Sequence, residues 1–142
     1  MHLLKTLAIT IGLFSSFTSK AQYIDLIGSS EKQILDKVSA DYPTVKKDTT
    51  EVGSIPVLNF EDQEKASSCS FFFYPKRDAC YMIRSWAPIR FINSYIKIAN
   101  RRYTKIGNNL WKTYDGTVQI RIMGIEESVL TTFSKIPSGK EI

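Results

Sequence analysis

Asp115-Gly116 stands between two runs that alternate apolar and polar residues, and this pair restricts the fold more than any other local feature. Asp-Gly suits a two-residue hairpin turn, because such turns need left-handed backbone that glycine adopts freely. A turn there sets Trp111 opposite Ile120 and Thr113 opposite Val118 on one face of the hairpin. Lys112 then falls opposite Gln119, and Leu110 opposite Arg121, on the other face. Strand side chains alternate, so the first face is expected in a core and the second largely in solvent. The fold must therefore contain an antiparallel sheet with a buried side.

The remaining elements follow from periodicity. Residues 30–41 read as a helix: Ser30 and Gln33 form a capping box, and Ile34, Leu35, Val38 and Tyr42 make one apolar stripe. Tyr42-Pro43 ends it, because the residue before proline avoids helical geometry. Strands are expected at 55–60, at 70–74 across the aromatic block Phe71-Phe72-Phe73-Tyr74, and at 80–84. A second helix is expected to begin at Pro88, with Ile89, Ile92, Ile96 and Ala99 as its buried stripe, widened by Phe91, Tyr95 and Ile98. Val129, Thr131 and Phe133 alternate in a final strand. The expected fold is α+β: a two-layer sandwich of mainly antiparallel sheet with two helices on one face, in the order α-β-β-β-α-β-β-β.

Residues 1–21 read as a cleavable signal peptide. Lys5 supplies the charge of the n-region, Leu7 to Phe14 form a short apolar core, and Ser19-Lys20-Ala21 offers small residues at a cleavage site. The apolar stretch is too short to span a bilayer, which takes roughly 20 residues. The expectation is a single exported domain, residues 22–142, not membrane-spanning, in the periplasm or outside the cell.

The only histidine is His2, inside that leader. A mature chain without imidazole excludes Ser-His-Asp and Cys-His nucleophiles and most zinc or copper sites. No phosphate-binding glycine motif is present. The expectation is no catalytic residue, no metal and no cofactor. A carboxylate-dependent hydrolase is the disfavoured alternative, since two acids suffice for glycoside hydrolysis. Glu61, Asp62 and Glu64 form one tight acidic cluster, which reads as an exposed connection.

Cys69 and Cys80 are the only cysteines. In an exported chain, pairing is the expectation. Local geometry opposes it: a turn at Pro75-Lys76-Arg77-Asp78 sets Cys80 opposite Phe73 and leaves Cys69 roughly 13 Å away along the strand. A bulge, or a Cys69 lying before the strand, would reconcile the two. The spacing is not that of a redox-active Cys-x-x-Cys pair.

Charge is unevenly distributed. Asp25 to Glu64 holds nine acids against four lysines, whereas Lys76 to Arg121 holds ten basic residues against two acids. Arg90, Ser94, Lys97 and Arg101 recur at helical spacing opposite the isoleucine stripe, and Arg102 and Lys105 extend the basic region. Trp86 and Tyr103 are interleaved with it as candidate aromatic contacts, and Tyr114 is a further one. Cations at a helix C-terminus also relieve its dipole, and a charged outer helix face is ordinary, so a purely structural role is the alternative. The functional expectation is a non-catalytic exported binding module, inhibitor or immunity-like, engaging an acidic protein partner through Arg90, Lys97, Arg101, Arg102, Lys105, Trp86 and Tyr103. Acidic envelope glycan or lipid head groups are the alternative ligands. Nucleic acid is not expected, because no recognition motif appears and the mature net charge is modest.

Overall fold

Among the described residues, each half runs through the same succession of elements: one 3-10 turn, one α-helix and four strands. The computed structural model describes residues 23–41 and 46–138. The expected leader and the Tyr42-Pro43 helix stop lie outside the described residues. In the first half, a 3-10 turn at Tyr23–Leu26 precedes α1 (Glu31–Asp41), β1 (Lys46–Val52), β2 (Ile55–Asp62), β3 (Ser67–Phe73) and β4 (Cys80–Pro88). In the second, a 3-10 turn at Ile89–Phe91 precedes α2 (Ile92–Arg102), β5 (Thr104–Gly107), β6 (Leu110–Lys112), β7 (Val118–Ile125) and β8 (Ser128–Lys135). The strands form one sheet in the order β1-β2-β3-β4-β8-β7-β6-β5, antiparallel throughout. Two meanders thus meet where β4 pairs β8.

The chain is α+β as expected, but each half has four strands where three were expected. The additions, β1 and β5, are the two sheet edges. Their sequences, Lys-Lys-Asp-Thr-Thr-Glu-Val and Thr-Lys-Ile-Gly, carry little apolar alternation. Charged, polar edges deter pairing with other chains, so an edge strand need not advertise itself by hydrophobic pattern.

Local signals hold where they are strong. Ser30 Oγ accepts from the Gln33 N–H (3.2 Å) and Gln33 Oε1 accepts from the Ser30 N–H (2.9 Å), a complete capping box. Ile34 and Val38 of the α1 stripe are fully buried. The second helix starts later than expected. Pro88 is still extended (φ −59°, ψ 143°) and closes β4, and the next N–H, of Ile89, donates to the Glu127 carbonyl. Pairing with β8 carries β4 past the point where proline alone would open a helix.

The expected disulfide is absent: Cys69 and Cys80 are not bonded to each other. The turn after Tyr74 decides this. Cys80 pairs with Phe73 and Cys69 with Ser85, so the two sit at separate sheet positions despite a register shift at Phe72/Phe73. Cys80 is fully buried, and burial pushes its thiol up to about 12 while its S–H donates to the Met82 carbonyl.

The β6–β7 hairpin has the expected register, Leu110↔Arg121, Trp111↔Ile120 and Lys112↔Gln119. Its loop differs. The Gly116 N–H donates to the Thr113 carbonyl, the Thr113 N–H to the Val118 carbonyl, and glycine takes the positive φ (73°). Asp115 Oδ1 accepts from Thr113 Oγ1, the Thr117 N–H and Thr117 Oγ1, which draws Tyr114 and Thr117 out of the ladder. Those bonds, that of Thr113 foremost, hold the Asp115 carboxyl below its ordinary range. A lowered folded pKa gives stability that is present above the unfolded pKa and lost as pH falls through the folded value. Asp115→Ala should therefore lower the melting temperature at neutral pH and flatten its fall on acidification, read by thermal melts from pH 7 to about 2. Parallel pH profiles in variant and wild type would refute this.

The sheet has two unlike faces. Registers place Leu58, Phe71, Ile83, Phe133, Ile120 and Trp111 on one face, and all six join a single core with Ile34, Val38 and Ala99 from the helices. Both helices therefore pack on that face. Among the described residues, no helix is long and apolar enough to cross a membrane.

Candidate functional site

The sequence-derived site is only partly assembled. Arg90, Ser94, Lys97, Arg101 and Arg102 are exposed in the 3-10 turn and α2, and Lys105 is exposed on β5. The Arg90 guanidinium lies 4.7 Å from the Phe91 ring centroid. Arg101 and Arg102 occupy the last turn of α2, where they complement its dipole. Of the two aromatics expected among these cations, Trp86 lies elsewhere, whereas Tyr103 follows Arg102 at the end of α2 and feels its charge. Trp86 pairs with Ser68 and Leu130, between Ser85 and Ala87, and so projects from the sheet face away from the helices. Tyr103 is half-buried and lines a cavity beneath α2, where burial raises its hydroxyl pKa. Tyr114 is 77 % exposed in the hairpin loop.

The face opposite the helices carries an arrangement that the sequence did not disclose. In register across it run Asn59, Ser70, Arg84, Thr132, Arg121 and Leu110. Beside this polar row lie Trp86, Leu130 and Met123, then Ile125. On its other side lie Val57, Phe72 and Met82. Arg84 and Arg121 are exposed, and Met123 and Ile125 are 41 % and 38 % exposed. Asn59 is tied down: Ser70 Oγ donates to its Oδ1 (2.6 Å), and its Nδ2 donates to Thr50 Oγ1 (3.0 Å). The Arg84 guanidinium is 5.5 Å from the Phe72 centroid.

Electrostatics set the two arginines apart. Neither Arg84 nor Arg121 has a carboxylate of a described residue within 4.0 Å, whereas Lys32 and Asp36 form an ion pair exposed at both ends. The acids in register on this face, Asp48 and Glu61, stand on β1 and β2, toward one edge. The acidic cluster itself belongs to the end of β2 and the turn after it, where Asp62 Oδ1 accepts from the Lys65 N–H. The hairpin register by itself puts Arg121 on the solvated face. Arg84 joins it through β8, about 50 residues further along the chain, which no local pattern reveals.

Set against protein-family models, curated proteins and solved structures, the chain matches none.

A third feature lies between α2 and the sheet. A cavity of about 60 Å³ is lined by Ile98, Ala99 and Tyr103 from the helix side and by Ile83, Ile122 and Phe133 from the sheet, among others. No charged side chain lines it.

Proposed function

We propose that this protein is a non-catalytic exported binding module, a two-layer domain that docks an acidic protein partner on the uncovered face of its sheet. The observation that carries this reading is the pair Arg84 and Arg121, exposed and without a carboxylate partner, next to Trp86, Met123 and Ile125. Arginine, tryptophan and methionine around an apolar patch are the side chains enriched where partners bury surface. Unpaired guanidiniums orient an acidic partner and speed its encounter. Strand side chains also present a stiffer platform than loops do. Export rests on the features of residues 1–21, and places the protein in the periplasm or outside the cell. The basic outer side of α2 is a second cationic surface on the opposite side of the molecule.

The test uses residues 22–142 as bait on envelope and secreted fractions, with Arg84→Glu/Arg121→Glu and Arg90→Glu/Lys97→Glu/Arg101→Glu as companion baits. A protein held by wild type and by the helix variant, and bound about tenfold or more weakly by the sheet variant, is the expected result. Affinity should also fall as salt rises. Equal capture by all three baits, loss only with the helix variant, or retention by acidic glycan or vesicles in place of protein would overturn the assignment. Near-ultraviolet circular dichroism of each bait confirms that the fold survives.

A further inference from the structure

We propose that the cavity beneath α2 is a binding site for a small, neutral, mainly apolar molecule carrying one hydrogen-bonding oxygen, with the Thr131 hydroxyl as its polar contact. This site is independent of the docking face, from which the sheet itself separates it.

The void has an identifiable origin. Cys69, Ser85 and Thr131 are neighbours in register on β3, β4 and β8, on the face toward the helices. Next to them runs a row of large side chains, Phe71, Ile83, Phe133 and Ile120. Over this floor α2 presents Ala99, which is 2 % exposed. Three small floor residues under an alanine leave volume that the bulky neighbouring row fills elsewhere. The space of about 60 Å³ is partly open to solvent, so a small molecule can reach it without unfolding the core. A single water needs roughly 10–15 Å³ measured in the same way, so the space is several times larger than one water requires.

The lining specifies the ligand. Ile83, Ile98, Ile120, Ile122 and Phe133 make apolar walls, and no lysine, arginine, aspartate or glutamate reaches the cavity. A charged ligand would lose its hydration without compensation. Thr131 is 7 % exposed, and its Oγ1 has no hydrogen-bond partner among the described residues. A buried hydroxyl without a partner bears its full desolvation cost, which a ligand oxygen would offset. Apolar walls with a few polar groups, here Thr131 together with Ser85 and the tyrosines Tyr23, Tyr95 and Tyr103, are the usual make-up of a small-molecule site.

Phenol is a suitable probe, with toluene as its counterpart lacking the oxygen. Titration of residues 22–142 followed by ¹⁵N and methyl NMR should give saturable shifts at Ile98, Ile120, Ile122 and Thr131 at millimolar or lower phenol. Thr131→Val keeps the shape and removes the hydroxyl. It should weaken phenol roughly three- to tenfold while leaving toluene unchanged. Ala99→Leu, which fills the void, should abolish both. If the alanine variant does not fold, the threonine variant still decides the matter. Absence of saturable binding to wild type, shifts that map outside the cavity, or equal phenol affinity in wild type and Thr131→Val would overturn the proposal.

Discussion

Trp111→Ala should destabilise the protein by about 3–5 kcal/mol, read as a lower midpoint with an unchanged slope in equilibrium urea unfolding. Trp111 is fully buried, sits opposite Ile120 on the face toward the helices, and belongs to the shared core. Its indole Nε1–H donates to Asn100 Oδ1 at 3.0 Å, which ties the last turns of α2 to β6. Truncation removes the largest fully buried side chain and leaves a cavity that the short strand β6 is poorly placed to close. Two milder variants separate bulk from bond. Trp111→Phe keeps most of the apolar volume, and Asn100→Ala leaves a buried N–H unsatisfied; each should cost about 1–3 kcal/mol. A Trp111→Ala loss below about 1 kcal/mol would mean that this residue does not anchor the second half.

Phe71→Ala should cost a comparable 3–5 kcal/mol in the first half. Phe71 is fully buried between Leu58 and Ile83 in register and meets two rings edge to face, Tyr23 at 6.0 Å and Phe60 at 5.7 Å. Such ring pairs contribute about 0.5–1.5 kcal/mol beyond the area they bury. The two variants together examine the join between the halves. Seven registered pairs connect β4 to β8, and a single core runs beneath both. Each substitution should therefore shift one common unfolding transition, as seen by fluorescence and by circular dichroism. Two transitions, with each variant moving only its own, would show that the halves unfold separately. For a domain with total stability of about 5–15 kcal/mol, either loss is a large fraction of the whole.

The parts of this protein that could be read from sequence are those whose causes lie within a few residues. Ser30 and Gln33 satisfy each other's backbone donors three residues apart, so the start of α1 follows from spacing alone. Asp115-Gly116 and the alternation around it set the β6–β7 register, and Trp111 faces the core accordingly. The turn after Tyr74 placed Cys80 opposite Phe73, and that local geometry outweighed the expectation of pairing drawn from an oxidising compartment.

Long-range partners decided the remainder. β1 and β5 exist because β2 and β6 offer them unpaired backbone, which polar sequences can use without hydrophobic alternation. β4 reaches Pro88 because β8 lies alongside it, and that extension sends Trp86 away from the basic helix. Arg84 and Arg121 come together only across β8, and the cavity only where three strands bring small residues beneath Ala99. Sequence determined the capped helix, the hairpin register and the turn at Pro75, because local backbone preference and side-chain period act over one or two turns of chain. Tertiary structure alone decided the edge strands, the uncovered cationic face and the cavity, because hydrogen-bonding partners and packing volume there come from residues tens of positions apart.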